Sequence, residues 1–282
     1  MIKSDALKRF WAQRGRAGLL AIGVALAGLV TTQAQAEDGY WKAVQTRGAL
    51  RCAAAISPPY VMKDLKTGEY GGAYLDLCKD FAKVLGVKAE FVDTSWDNIV
   101  AGLQAGKWDL SPALNRTPAR ALAIAYSTTV GYDAMNFAYK TGNPKLKDVK
   151  PDLNAMDQPG VRIGVMSGTA QDQKTTARFT KAEIVRIPDA NAVNLALLSG
   201  RVDVAAADST TNLLLHTAHP DDVTLVEAEP ALMKQGISFG MPRTMSDADR
   251  AVFNIFLEEK VALGSVDKDL ERWGKIYIDG AK

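Results

Sequence analysis

The sequence predicts an α/β protein of two lobes, each an open, mostly parallel sheet, joined by two extended crossings of the chain. Three observations carry this. Candidate strands and helices alternate through residues 49–226, and serial strand–helix–strand units build parallel sheets covered on both faces. The series restarts at Val161 after a stretch rich in Pro, Asn, Lys and Asp, Thr141–Pro159. The two halves also echo each other. Gly106-Lys107-Trp108-Asp109 and Gly200-Arg201-Val202-Asp203 each place Gly, a basic residue, an apolar residue and Asp at a helix-to-strand join.

Residues 1–36 read as an address rather than as part of the fold. Lys3, Lys8, Arg9, Arg14 and Arg16 precede an apolar run, Ala17–Val30, and a small-residue exit, Ala34-Gln35-Ala36. That order is the secretory leader pattern, with cleavage expected after Ala36. Fourteen apolar residues are short for the ~30 Å of a bilayer core, and no Cys lies beside the exit to invite a lipid anchor. Of 34 basic and 32 acidic residues the leader holds five and one, so the remaining 246 residues carry a formal charge of −2. The basicity belongs to the leader, and nothing is left of the clustered basic face that nucleic-acid binding calls for.

Ala49–Ile56 reads as a strand, Gly72–Leu85 as an amphipathic helix and Lys88–Val92 as a strand. Trp96–Ala105 follows as a helix, Trp108–Ala113 as a strand and Pro118–Leu122 as a short helix, with Ala123–Tyr126 and Met135–Tyr139 extended. In the second half Val161–Met166, Glu183–Ile187, Val202–Ala207 and Val223–Val226 are strands. Thr169–Phe179, Ala190–Leu198 and Ser209–Thr217 are helices between them, Gly236–Met241 is extended, and Asp247–Leu263 and Lys268–Tyr277 close the chain as helices. Apolar spacing near 3.6 marks the helices; short β-branched or apolar runs between turn residues mark the strands. The chain is expected to leave the first lobe near Ala138–Gly142 and to return near Gly236–Phe239. The first lobe is then residues 37–138 plus 239–282, and the second is 139–238. Cys52, in a strand, and Cys78, on the apolar face of the next helix, fit either a disulfide or two buried thiols; geometry decides.

Ligands of open α/β sheets sit at the carboxyl ends of the strands, and three strand-end loops carry suitable chemistry. In Ala113–Arg120, Thr117 before Pro118 reads as a helix cap, which puts Arg120 near the loop mouth, where it can grip a carboxylate or simply face solvent. In Met166–Gln171, Ser167, Gly168 and Thr169 open a helix after a strand. That outlines an anion site at a positive helix end and serves equally as a plain cap. In Ala205–Ser209 a small-residue strand ends at Asp208, which can receive an ammonium group or cap the next helix. Together the loops match the carboxylate and amino group of one amino acid, and Trp96 and Tyr60 offer flat surface to cover its side chain. His216 and His219 are the only histidines, three residues apart with no ligating neighbour, and read as a solvated helix end rather than a metal site.

Several of these features resemble the polar amino-acid family of periplasmic binding proteins, bacterial extracellular solute-binding protein family 3. They include Pro59-Tyr60 and Gly71-Gly72-Ala73-Tyr74-Leu75-Asp76 early in the chain, then Asp109, Thr117–Arg120 and Gly164–Thr169, and finally Gly200–Asp203 and Asp208. The matching features run from about Ala49 to Trp273. The resemblance implies a two-lobed, type II periplasmic-binding-protein fold that captures a small amino acid in the interlobe cleft. It implies a monomer in the periplasm, working with an ABC permease of the inner membrane, without cofactor, metal or catalytic residue. By resemblance Arg120 and Thr169 bind the ligand carboxylate, Asp208 binds the amino group and Trp96 covers the side chain. Ala113 and Asn115 add contacts, with Ser57, Tyr60 and Ser167 nearby.

Departures from the family pattern set the finer expectation. Ala54 stands where cationic-ligand members carry an acid, so neutral-polar or acidic amino acids are expected to be preferred. Ser57 replaces a frequent aromatic, Arg116 takes a usually apolar position and faces either cleft or solvent, and Val130-Gly131-Tyr132 alters one edge of the pocket. The alternative from another class is a periplasmic cyclohexadienyl dehydratase, which Thr94-Ser95-Trp96 resembles. Such an enzyme needs a general acid, and the sequence offers no cleft carboxylate beyond Asp208.

Overall fold

A computed structural model describes residues 39–146 and 153–281. The leader, its cleavage point and part of the interlobe stretch lie outside the described residues. Helix α1 (Tyr40–Arg47) precedes strand β1 (Ala49–Ala54), followed by a small hairpin of β2 (Met62–Lys63) and β3 (Tyr70–Gly71). Helix α2 (Ala73–Leu85), β4 (Lys88–Asp93), α3 (Ile99–Gln104), β5 (Ser111–Asn115), α4 (Pro118–Ala121) and β6 (Ala125–Tyr126) complete the first series. Strand β7 (Gly131–Lys140) then leads to α5 (Leu153–Met156), β8 (Arg162–Met166), α6 (Ala170–Arg178) and β9 (Glu183–Ile187). Next come α7 (Ala190–Leu198), β10 (Val204–Asp208), α8 (Ser209–Ala218), β11 (Val223–Glu227) and β12 (Lys234–Met241). Helices α9 (Asp247–Ala262) and α10 (Ser265–Ala281) end the described chain.

Parallel pairing dominates where helices separate consecutive strands. β1 pairs β4 in parallel and bridges to the start of β5 at Cys52 and Leu110. β8 lies in parallel between β9 and β10. The two long antiparallel strands β7 and β12 join these groups. β7 pairs β12 over Gly131–Ala134, and from Met135 onward it takes β10 and β11 as partners instead. β12 continues along β5 and β6 through Met241. One strand therefore belongs to both lobes, and its change of partner falls inside the strand, not in a loop.

The amphipathic pattern of α2 explains the first core. Tyr74, Leu75, Leu77, Cys78, Phe81 and Leu85 are buried and pack with Leu50 and Cys52 of β1 and with Phe253 and Leu257 of α9. Cys78 meets Cys52 there as a disulfide, Cα atoms 6.7 Å apart. A second core gathers Phe137, Ile163, Val165, Phe179 and Val204, and a middle cluster joins Ile99, Trp96 and Trp108 to Met166, Leu197 and Val202.

The repeated Gly–basic–apolar–Asp motif has a structural job in both lobes. The Asp109 carboxylate accepts the backbone N–H of Arg51 (2.8 Å), its guanidinium (3.0 Å), the Arg47 guanidinium (2.5 Å) and the Tyr40 hydroxyl (2.9 Å). Asp203 accepts the backbone N–H of Arg162 (2.9 Å), its guanidinium (3.1 Å) and Lys145 Nζ (2.8 Å). Each Asp thus ties the strand it precedes to the arginine of a neighbouring strand.

Candidate functional site

The carboxyl ends of β1, β5, β8 and β10, with part of β7, enclose a cavity of about 340 Å³ including its mouth. Arg120 reaches it because Thr117 caps α4, accepting the backbone N–H of Arg120 at 3.2 Å, with Pro118 at the first helical position. Arg120 is 9% exposed, and its guanidinium donates to the carbonyls of Asn115 (3.3 Å) and Gly168 (3.1 Å). Among the described residues no carboxylate pairs with it, and burial pushes its pKa down. A buried cation with no carboxylate partner is poised for an anion.

Thr169 caps α6 opposite. Its hydroxyl accepts the backbone N–H of Asp172 (3.1 Å) and donates to the Met166 carbonyl (2.8 Å). The hydroxyl proton is thereby engaged, so the helix start offers chiefly its free backbone N–H groups and positive dipole end. Gly168, at φ +72°, lets this loop pass against the first lobe. A Cβ there would stand 2.8 Å from the backbone of Asp97.

Asp208 ends β10 and caps α8, accepting the backbone N–H (2.8 Å) and hydroxyl (2.9 Å) of Thr211. Asp133 stands beside it. β10 pairs with β7 so that Asp208 opposes Met135, which places Asp133, two residues back, on the same face as a diagonal neighbour. Asp133 accepts the Tyr60 hydroxyl (3.2 Å) and the Ser209 hydroxyl (2.6 Å). Both aspartates are 4% exposed. Burial pushes both carboxyls up, Asp208 far above the usual range, and the neighbouring Asp133 raises it further.

Of the residues singled out from the sequence, Arg120, Thr169, Asp208, Trp96, Asn115, Ala113, Ser57 and Tyr60 line this cavity. The Trp96 indole N–H is fixed on the Ile56 carbonyl at 3.2 Å. Ala113 has φ +62°, the one positive value at a non-glycine among the described residues, and strained backbone of this kind gathers at ligand sites. Ser167 does not line the cavity; its hydroxyl donates to Asp97 at 3.0 Å, one lobe to the other. Arg116 is exposed and turned to the Thr129 hydroxyl at 2.9 Å. His216 Nδ1 lies 2.7 Å from the Val223 carbonyl.

Sequence reasoning missed Asp133, Met166, Gln171 and Ile237 as lining residues. A signal for Asp133 existed. Asp133, Met135 and Phe137 alternate along β7, and the latter two are core, so period two places a carboxylate on an inward face. Starting the strand at Met135 hid it.

Residues 50–275 match the family model of bacterial extracellular solute-binding proteins, family 3. The chain belongs to that family. It is similar to a probable histidine-binding protein of Campylobacter jejuni, 26% identical over 70% of this chain and 74% of the relative. It is also similar to the lysine/arginine/ornithine-binding periplasmic protein of Escherichia coli, 26% identical over 79% and 85%. Among solved structures it resembles an ancestral amino-acid-binding protein described as a precursor of cyclohexadienyl dehydratase. That likeness has a TM-score of 0.72 and 28% identity, and covers 83% of this chain and 98% of the other. The architecture is the type II periplasmic-binding-protein fold, with open sheets.

Proposed function

We propose that this family member is the substrate-binding component of an ABC importer. It would capture one α-amino acid in the cavity and work in the periplasm after loss of its leader, as a monomer beside an inner-membrane permease. The observation that carries the reading is Arg120: a residue 9% exposed, lining the cavity, with no carboxylate partner among the described residues. The ligand carboxylate takes that place, with the start of α6 as second donor, and Asp208 receives the amino group. Trp96 and Tyr60 flank the side chain. Calorimetry against common amino acids tests this. Arg120→Ala should weaken binding by about 2–5 kcal/mol, because it leaves a desolvated carboxylate unpaired; unchanged affinity would remove Arg120 from the site.

The lobes expected from the sequence, residues 37–138 plus 239–282 and residues 139–238, are kept with one shift: the strand changes partner at Ala134–Met135, so the pivot is placed there and Met135–Ala138 go with the second lobe. A ligand held by Arg120 and Asp208 touches both lobes, so it favours their closure.

The expectation of neutral or acidic ligands rested on Ala54. That side chain is fully buried in the first core and is absent from the cavity lining, so it has no bearing on the ligand's charge.

A dehydratase reading has one observation in its favour, two buried carboxyls in the cavity whose pKa values burial raises, since a buried carboxyl that keeps its proton is a competent general acid. Turnover of prephenate or arogenate by the purified protein would establish it. Binding of amino acids without turnover supports the transport reading.

A further inference from the structure

The proposed contacts for an amino acid account for Arg120, α6 and Asp208, and leave two cavity groups unused. One is Asp133, 4% exposed, with no cation paired to it among the described residues. The other is Gln171, also 4% exposed, whose amide nitrogen points to Asn115 Oδ1 at 3.4 Å while Oε1 has no partner. Asp133 accepts only neutral hydroxyls, from Tyr60 and Ser209, and a buried acceptor without a donor, as at Gln171 Oε1, is costly. Both line the cavity, and both call for N–H groups beyond one α-ammonium.

The charges give the same answer. Among the cavity-lining residues only Arg120, Asp133 and Asp208 carry formal charge, so with both carboxyls ionised the cavity has one negative charge in excess. A zwitterionic ligand leaves that excess in place; a ligand of net charge +1 removes it. We propose that Asp133 is a second cation-receiving residue of the cavity, and that with Asp208 it selects amino acids whose side chain is positively charged. This rests on the reading of the cavity as an amino-acid site.

Without ligand the excess is met by a proton. Burial raises both carboxyls, which favours one proton kept on the pair. The groups facing Asp133 do not replace that proton. Tyr60, from the loop after β1, and Tyr74, from α2, are neutral phenols that burial raises far from ionisation. Its β12 neighbour is Gln235, uncharged, and from α8 comes Ser209. Arg120 is the one cation lining the cavity. A cationic ligand therefore enters as the shared proton leaves to solvent, one positive charge for one, and the net charge of the site is unchanged. The sign follows. Below the pH at which the free pair loses its proton, binding must expel it, so affinity for the cationic ligand rises with pH and weakens in acid.

The experiment is calorimetry with L-lysine, L-ornithine and L-arginine against L-glutamine and L-glutamate, in two buffers of different ionisation enthalpy. Wild-type protein should bind a cationic member about tenfold or more tightly than glutamine, with net proton release. In Asp133→Asn, which keeps the side-chain shape, the cationic-to-neutral ratio should fall about tenfold or more and the proton release should vanish. Should that variant not fold, the buffer comparison on the wild type still decides. Glutamine or glutamate binding best, or cationic binding without proton release, overturns the role of Asp133. If Arg120→Ala abolishes that binding all the same, the amino-acid site stands alone. No binding by any of the five overturns both.

Discussion

Two pairs of buried aspartates in this molecule have opposite surroundings. Asp109 and Asp203 stand at equivalent joins in the two lobes, each holding a backbone N–H and at least one cation: Arg51 and Arg47 in one case, Arg162 and Lys145 in the other. Asp133 and Asp208 hold hydroxyls and a backbone N–H, and no cation pairs with either among the described residues. The first pair is neutralised by its own scaffold. The second has no cation of its own; burial raises both carboxyls, and on the proposed reading a ligand brings the compensating charge. Burial alone therefore does not distinguish a structural carboxylate from a binding one; the source of the compensating charge does.

The comparison can first be controlled with a scaffold lesion that removes no charge. Replacing Cys52 and Cys78 by serine opens a cross-link between residues 26 apart, and chain-entropy arguments give a loss of about 3 kcal/mol. Urea unfolding should record that loss while ligand affinity measured on the folded protein stays unchanged. A large change in affinity would mean that the first lobe's scaffold and the cavity are coupled.

Asp109→Ala comes next, at about 2–3 kcal/mol. That is below the usual cost of breaking a buried pair, because Arg47 and Arg51 side chains are 37% and 26% exposed and can recover solvent. Asp203→Ala should cost less, about 1–2 kcal/mol, since its carboxylate is somewhat more open and Lys145 is 41% exposed. Thermal or urea unfolding of both variants checks the order, and neither should alter ligand selectivity. If Asp109→Ala changes selectivity, the division between scaffold and binding carboxylates fails.

Much of this was legible in the sequence, and the failures have physical causes. Thr117-Pro118 and Ser167-Gly168-Thr169 were readable because capping chemistry is local. The helix at residues 73–85 was readable because its apolar spacing is regular. The repeated Gly–basic–apolar–Asp motif was visible, but its job was not, since the arginine each Asp holds comes from another strand. Ala54 was misjudged as facing the cavity because the direction of a side chain in a strand buried on both faces leaves no alternation to read. Asp133 was hidden in a strand shared by both lobes, whose inward face changes owner along its length. Gln171 is the second residue of α6, and only the meeting of the lobes brings it near Asn115.

The smallest effect is also the sharpest test of the comparison. Asp208→Asn keeps the cap of α8, because Asn caps about as well as Asp, but removes a buried group that ionises unfavourably. The folded-state pKa of Asp208 is raised by burial and by Asp133, so the native protein binds more protons than the unfolded chain between the unfolded and folded values. Wild-type stability then falls as pH rises through that window, and the loss is complete above the folded value. The variant lacks this loss. Without ligand it should match wild type in acid and exceed it by about 1 kcal/mol above neutrality, the usual scale of a stability gain won at a binding site's expense, while amino-acid binding collapses. Asp203→Asn should show the opposite slope. Desolvation raises Asp203, but Arg162 and Lys145 outweigh it and the net shift is downward. Its stabilisation is present above the unfolded value and lost as pH falls through the folded one, so that variant should be weaker than wild type at neutral pH and converge with it in acid. Unfolding midpoints for the two variants across pH decide the matter. Parallel slopes would mean that Asp208 is a scaffold carboxylate like Asp203, and that the cation it awaits does not exist.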